Sequence, residues 1–255
     1  MPDVFAPPRP LTVQRLGRLP YARGLEIQER LVAERQRGAA GDHLLLLEHE
    51  PVFTLGRNAR AENVLFSEDA LRAQGFEVFE TGRGGDVTYH GPGQLVGYPI
   101  VALAEPVDVI AYVRTLEEAL IRACAEVGVA TTRVEGRSGV WITGGRGPGS
   151  AHDRKVAAIG IRVARGVTMH GFALNCDCDL GWFDRIVPCG IRDAGVTSLS
   201  AETGRTVTVA GMLGIAERHL AGALGATTWR SVDGADPLAG PPAPVPIPAE
   251  VGTAD

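Results

Sequence analysis

The chain carries 25 basic residues and a single lysine, Lys155, so the other 24 are arginine. Arginine supplies charge and ion pairs but keeps its proton at ordinary pH, whereas a desolvated lysine can release one. Lys155 is therefore a candidate for proton transfer, although compositional drift towards arginine would leave the same remnant. The second reactive residue type is cysteine, with Cys124, Cys176, Cys178 and Cys189 in the chain. Cys189 lies between Pro188 and Gly190, two residues that favour a turn. A turn can present sulfur to solvent and to backbone N–H groups, which suits a nucleophile. An ordinary loop cysteine is the competing reading.

A third candidate is the stretch from Thr81 to Gln94, which holds five glycines together with Arg83, Tyr89 and His90. So many glycines let the backbone turn tightly and approach a ligand, and bare N–H groups there can hold an anion or a carbonyl oxygen. The stretch is no Walker loop, because no Gly-Lys-Ser/Thr follows, and its glycine spacing does not fit a dinucleotide fingerprint. His90 alone would more often be a hydrogen-bonded structural residue. The Cys176-Asp177-Cys178 run, with His170 upstream, invites a metal reading. It lacks a second ligand pair at zinc spacing, and on one strand face two such cysteines read better as small buried side chains. No metal site is expected.

These residues need elements to position them. Apolar spacing predicts helices over residues 24–37, 108–127 and 207–224, and a short helix opened by Ser67 as its cap. Strands are expected over 43–48, 51–56, 76–80, 94–103, 139–143, 155–164 and 167–175. Residues 144–150 form a flexible tip between two of them. Strands cluster and helices stand apart, which predicts an α+β fold with a mixed sheet and flanking helices. One domain is expected over residues 11–230, with proline-rich flexible tails at 1–10 and 236–255. No signal peptide or bilayer-length apolar run is visible, so a cytoplasmic protein with reduced thiols is expected. A net charge of −5 argues against nucleic acid or an anionic membrane as the main partner.

Together the motifs resemble one family. The run Arg83-Gly84-Gly85-x-x-Thr88-Tyr89-His90-Gly91-Pro92-Gly93-Gln94-Leu95, the strand from Lys155 to Gly160, the run His170-Gly171-Phe172-Ala173-Leu174-Asn175 and the Pro188-Cys189-Gly190 turn stand in the order seen in octanoyl-[acyl-carrier-protein]:protein octanoyltransferases. The resemblance covers roughly residues 40–205. It implies a cytoplasmic enzyme with the α+β catalytic fold of biotin and lipoate ligases, no cofactor, and a Cys–Lys dyad that falls on Cys189 and Lys155. It also implies substrate-binding segments at Arg83, Gly84, Gly85, Asp86, Val87, Thr88, Tyr89 and His90, at Ala158, Ile159 and Gly160, and at Gly171, Phe172 and Ala173. The implied partners are octanoyl-acyl carrier protein, and as acceptors the lipoyl domains of 2-oxoacid dehydrogenase complexes and the glycine cleavage H protein, with the enzyme a monomer. Cys176 matches no catalytic position, and residues 144–153 form a longer loop than the family pattern.

Three rivals stay open on sequence. An ATP-dependent lipoate or biotin ligase of the same fold would lack the Pro-Cys-Gly nucleophile. A non-catalytic acyl- or carrier-binding module would have no use for Lys155 and Cys189. A cysteine hydrolase would release free octanoate.

Overall fold

Leu44-Leu45-Leu46-Leu47 shows how the sequence dictates the layers. Successive strand residues point to opposite faces, and all four leucines are buried. Leu44 and Leu46 join one apolar cluster, and Leu45 and Leu47 join another on the other side. Their strand is thus covered on both faces. The computed structural model describes residues 4–6, 10–144 and 152–234. The strands are β1 (Leu11–Leu19), β2 (Asp42–His49), β3 (Val52–Leu55), β4 (Glu77–Glu80), β5 (Val87–His90), β6 (Gln94–Ile100), β7 (Thr132–Val134), β8 (Arg137–Ile142), β9 (Arg154–Ala164), β10 (Val167–Asn175), β11 (Gly195–Val196) and β12 (Trp229–Asp233). The helices are α1 (Tyr21–Gln36), α2 (Glu68–Ala73), α3 (Val109–Glu126), α4 (Leu199–Thr203) and α5 (Val209–Ala223).

The main sheet runs β12-β1-β2-β6-β10-β9-β8-β7, with β11 added beside β9, and a small sheet runs β4-β3-β5. Pairing is parallel at β12/β1, β1/β2 and β9/β11, and antiparallel elsewhere in the main sheet. The expected mixed sheet with flanking helices is what forms. Helices α3 and α5 cover one face, where Leu116, Leu120, Met212 and Leu220 are fully buried. On the other face α1 inserts Ile27 and Leu31 against β2 and β6. The small sheet closes its own aromatic cluster around Phe53, Phe76, Tyr89 and Phe183.

Several expectations are corrected in detail. The first helix begins at Tyr21, three residues before the reading from its apolar stripe, because Pro20 precedes it and pre-sets the chain. The apolar spacing of the third helix would bury Val109, but Val109 is 42 % exposed and Tyr112 is buried. Residues 4–6 are not loose. Ala6 N–H donates to Ala102 O, Val4 O accepts from Ala104 N–H, and Phe5 packs edge-on against Tyr112. The expected flexible tail beyond 235 and the 144–150 tip, except Gly144, lie outside the described residues. No described helix is long and apolar enough to cross a membrane.

Candidate active site

Lys155 and Cys189 are thirty-four positions apart, yet Lys155 Nζ stands 3.1 Å from Cys189 Sγ. Two pieces of backbone chemistry close that gap. Lys155 is the second residue of β9, and β11 lies parallel beside it with Val196 opposite Lys155. Thr197 N–H donates to Lys155 O at 3.0 Å, which stitches the segment after the cysteine to the lysine strand. Arg137 then ties its guanidinium to Asp193 at 2.7 Å, holding the same segment against the start of β8. Cys189 itself sits in a single 3₁₀ turn, Pro188–Gly190, with φ 56° and ψ 18°. A non-glycine residue pays about 1–2 kcal/mol to stand in that left-handed region. Strained backbone of this kind recurs at nucleophile turns, and Cys189 stands partly exposed where it lines the cavity described below. Gly190 follows with φ +69°, and a Cβ there would lie 2.7 Å from Asp86 Oδ2. A side chain there would have to displace that carboxylate.

The lysine is nearly buried and rests with its Nζ 4.6 Å from the centre of the Trp141 ring. A cation over an indole face is stabilised by about 0.5–2 kcal/mol, depending on desolvation. Trp141 faces Lys155 across the β8/β9 pairing. Its ring thus backs the same amine that contacts the sulfur.

A cavity of about 280 Å³ opens beside the dyad. Its walls include Arg83, Gly84, Gly85, Asp86, Thr88 and His90 from the glycine-rich stretch, together with Ala158, Ile159, Gly160, Gly171, Phe172 and Ala173 from β9 and β10. Lys155 and Cys189 line it as well. Two of the expected contact residues, Val87 and Tyr89, do not line it. Thr81–Gln94 contains a true strand, β5, whose alternation turns Thr88 and His90 to the cavity. Val87 and Tyr89 pack instead with Phe53 and Phe183 in the small sheet's core. The sequence reading also missed Tyr21, Tyr98, Ser138, His170 and Ile191 as wall residues. Tyr21 comes from α1 and Tyr98 from β6, far away in sequence, and only the sheet order brings them in.

Arg83 is buried, and its guanidinium donates to Thr54 O at 2.6 Å, to Thr54 Oγ1 and to Gly84 O. All these acceptors are neutral. Burial lowers its pKa, and negative charge on nearby groups, Cys189 among them, opposes that shift. A desolvated positive charge of this kind favours an anion at the sulfur or at a reacting oxygen. Gly84 N–H donates to Ile161 O and Gly190 N–H to Val187 O, so both are occupied. Gly85 lines the cavity, and its N–H makes no hydrogen bond among the described residues.

His90 is part of a brace. Its Nδ1 is 2.7 Å from Gln94 Oε1, which assigns the proton to Nδ1. Gln94 Nε2 donates to Asn175 Oδ1, and Asn175 Nδ2 donates to Thr197 O, the residue that bonds to Lys155. Burial, the leading cause in each, lowers the pKa of His90 to about 3 and those of His49 and His170 to about 4. All three are neutral at pH 7. A depressed histidine pKa means that the unfolded chain binds more protons once pH drops below about 6.5. Stability is therefore full above that value and is lost as pH falls towards 4. The expected result is a melting temperature that declines steadily from pH 6.5 to pH 4.5, measured by thermal denaturation at fixed ionic strength.

The other cysteines are packing residues. Cys124, Cys176 and Cys178 are buried, and burial drives all three thiols upward, Cys124 and Cys178 to about 12. Cys176 and Cys178 lie just past the end of β10 and not on a strand face, because the chain there folds over Gly93, whose carbonyl accepts from Cys176 N–H and Asp177 N–H.

With that geometry in place, comparison with known proteins is informative. The lipoyl protein ligase A/B catalytic domain matches residues 20–221. An octanoyltransferase of Salinispora arenicola is 56 % identical over 217 residues, covering 85 % of this chain and 97 % of the relative. An octanoyltransferase of Thermobifida fusca is 53 % identical over 216 residues, covering 85 % and 89 %. Among solved structures, the bipartite lipoate protein ligase of Thermoplasma acidophilum superposes with a TM-score of 0.68 over 88 % of this chain and 87 % of that one, at 14 % identity. That likeness carries the fold, and the close relatives carry the chemistry. The chain belongs to the lipoyl protein ligase A/B catalytic-domain family, among its octanoyltransferases.

Proposed function

We propose that octanoyl transfer proceeds through a thioester on Cys189, with Lys155 carrying the proton, from octanoyl-acyl carrier protein to the lysine of a lipoyl-accepting domain. The contact of 3.1 Å between Lys155 Nζ and Cys189 Sγ is the observation that carries this reading. An isolated thiol is mostly protonated at neutral pH and is a weak nucleophile in that form. An ammonium in contact with sulfur favours the thiolate.

In the first half-reaction the Cys189 thiolate attacks the donor's carbonyl carbon. A carbon–sulfur bond forms to Cys189, the carbon–sulfur bond to the donor breaks, and the departing thiolate takes a proton from the Lys155 ammonium. Lys155 is now a neutral amine. In the second half-reaction the acceptor's amine attacks the enzyme thioester and gives its surplus proton to Lys155. An amide forms, and the Cys189 thiolate leaves beside a restored ammonium. Thioester exchange is nearly isoenergetic and amide formation is downhill, so no nucleotide is required. The cavity flanked by Ile159, Phe172 and Ala173 suits the alkyl chain, with about 0.8 kcal/mol gained for each methylene it buries. Arg83 and Gly85, which line the cavity beside the dyad, supply the donors for the developing oxyanion in this reading.

The test supplies octanoyl-acyl carrier protein and a lipoyl domain without ATP, and identifies the product by mass. Octanoylation of the acceptor lysine is expected. A strict need for ATP would favour a ligase, and free octanoate as main product would favour a hydrolase.

A further inference from the structure

A thioester has two arms that meet at the carbonyl under attack. A nucleophile that accepts one needs space on both sides. The cavity beside Lys155 serves one side. Cys189 also lines a second, open cleft of about 600 Å³, walled by Asn58, Arg60, Glu62, Asn63, Gly190 and Arg192. Gly85, Asp86 and Cys189 line both spaces, so the sulfur stands at their junction.

The chemistry of the two spaces differs. Side-chain amides and guanidinium groups dominate the second cleft, and no alkyl surface comparable to Ile159 and Phe172 is present in its wall. Its framework is built. The Asp86 carboxylate accepts from Asn63 Nδ2 at 2.6 Å, from Val87 N–H at 2.7 Å and from Arg60 N–H at 3.3 Å. That carboxylate is spent on holding the loop of residues 58–63 against the nucleophile turn. The ligand-facing cations remain available. Arg192 makes no ion pair among the described residues, and Arg60 reaches only Glu62, at 3.8 Å with both side chains mostly exposed. Such an exposed pair is worth little and exchanges readily. The Asn58 side-chain amide makes no hydrogen bond among the described residues.

We propose that this cleft binds the arm by which the acyl group is carried, an arm of pantetheine type with two amides and a terminal phosphate ester. Arg60 and Arg192 hold the phosphate, and Asn58 meets an amide of the arm. The proposal rests on Cys189 being the acylated nucleophile. It divides the donor in two, alkyl chain on the Phe172 side and polar arm on the Arg192 side, with the reacting carbonyl between them at the sulfur.

The test compares two donors that differ only in the phosphate, octanoyl-4′-phosphopantetheine and octanoyl-pantetheine. Acylation of Cys189 is followed by mass in the wild type and in an Arg60→Ala, Arg192→Ala double variant. Hydrogen bonds to a charged group translate into a preference of roughly 10- to 100-fold for the phosphorylated donor in the wild type. In the double variant the ratio between donors is expected to collapse towards one. Equal rates with the two donors in the wild type, or a preference that survives the double substitution, would overturn the cleft assignment while leaving Cys189 as nucleophile. No adduct from either donor would remove the nucleophile itself, and the cleft assignment with it.

Discussion

Replacing Cys189 by serine is expected to abolish the acyl-enzyme and to lower octanoyl transfer by roughly 10⁴-fold or more, since removing a covalent nucleophile leaves only binding and oxyanion contacts. The substitution exchanges sulfur for oxygen at the tip of a turn that is already formed by Pro188 and Gly190, so folding should be unaffected. A hydroxyl holds its proton far more tightly than a thiol. An ammonium that stabilises a thiolate therefore does not generate an alkoxide in its place. Steady-state transfer and the melting temperature, measured side by side, check both halves of the statement. Transfer within tenfold of the wild type in Cys189→Ser would mean that the acyl group never passes through this residue.

The second large effect concerns the lysine. Lys155→Arg keeps the positive charge beside sulfur but removes the ability to cycle between ammonium and amine. Proton transfer by a positioned side chain is worth about 10²- to 10⁴-fold, and a fall of that order in kcat is the expected outcome. Arginine is bulkier, and Lys155 lies close to Trp141 and to the backbone at Gly139. Lys155→Met provides a second measurement. Alkylation of Cys189 by iodoacetamide at pH 7 reports the thiolate alone. It should stay fast in Lys155→Arg and slow markedly in Lys155→Met, while transfer falls in both. Turnover like the wild type in Lys155→Arg would dismiss the proton-transfer role, whatever the alkylation rates.

The sequence was most legible where residue type and chemistry coincide. A lone lysine in an arginine-rich chain and a cysteine set between proline and glycine were each distinctive without any contact information. The run of four leucines read as a buried strand, and the structure covers it on both faces. Other parts were hidden for identifiable reasons. The first strand, Leu11–Leu19, carries Arg15 and Arg18, and its register with β2 shifts between Arg15 and Gly17, so its alternation is broken in sequence. Arg15 is accommodated by Glu217 from α5, a pairing across 202 positions that no local pattern shows. The four residues of β5 were concealed within a glycine-rich stretch and are a strand only because β3 pairs with them. Val87 and Tyr89, which the family resemblance counts within the substrate-binding segment, turn into the small sheet's core as a result. Trp141 was the most useful residue overlooked. Its signal was present, since it lies on the strand joined by one loop to the lysine strand, but cross-strand neighbours are known only when register is known.

Intact-protein and peptide mass measurement, made shortly after mixing the enzyme with octanoyl-acyl carrier protein in the absence of nucleotide, tests the central claim most directly. The account predicts one octanoyl group on the peptide that contains Cys189, formed fast in the wild type, slowly in Lys155→Met, and discharged when a lipoyl domain is added. An acceptor that becomes octanoylated while Cys189 stays unmodified at every time point would contradict it.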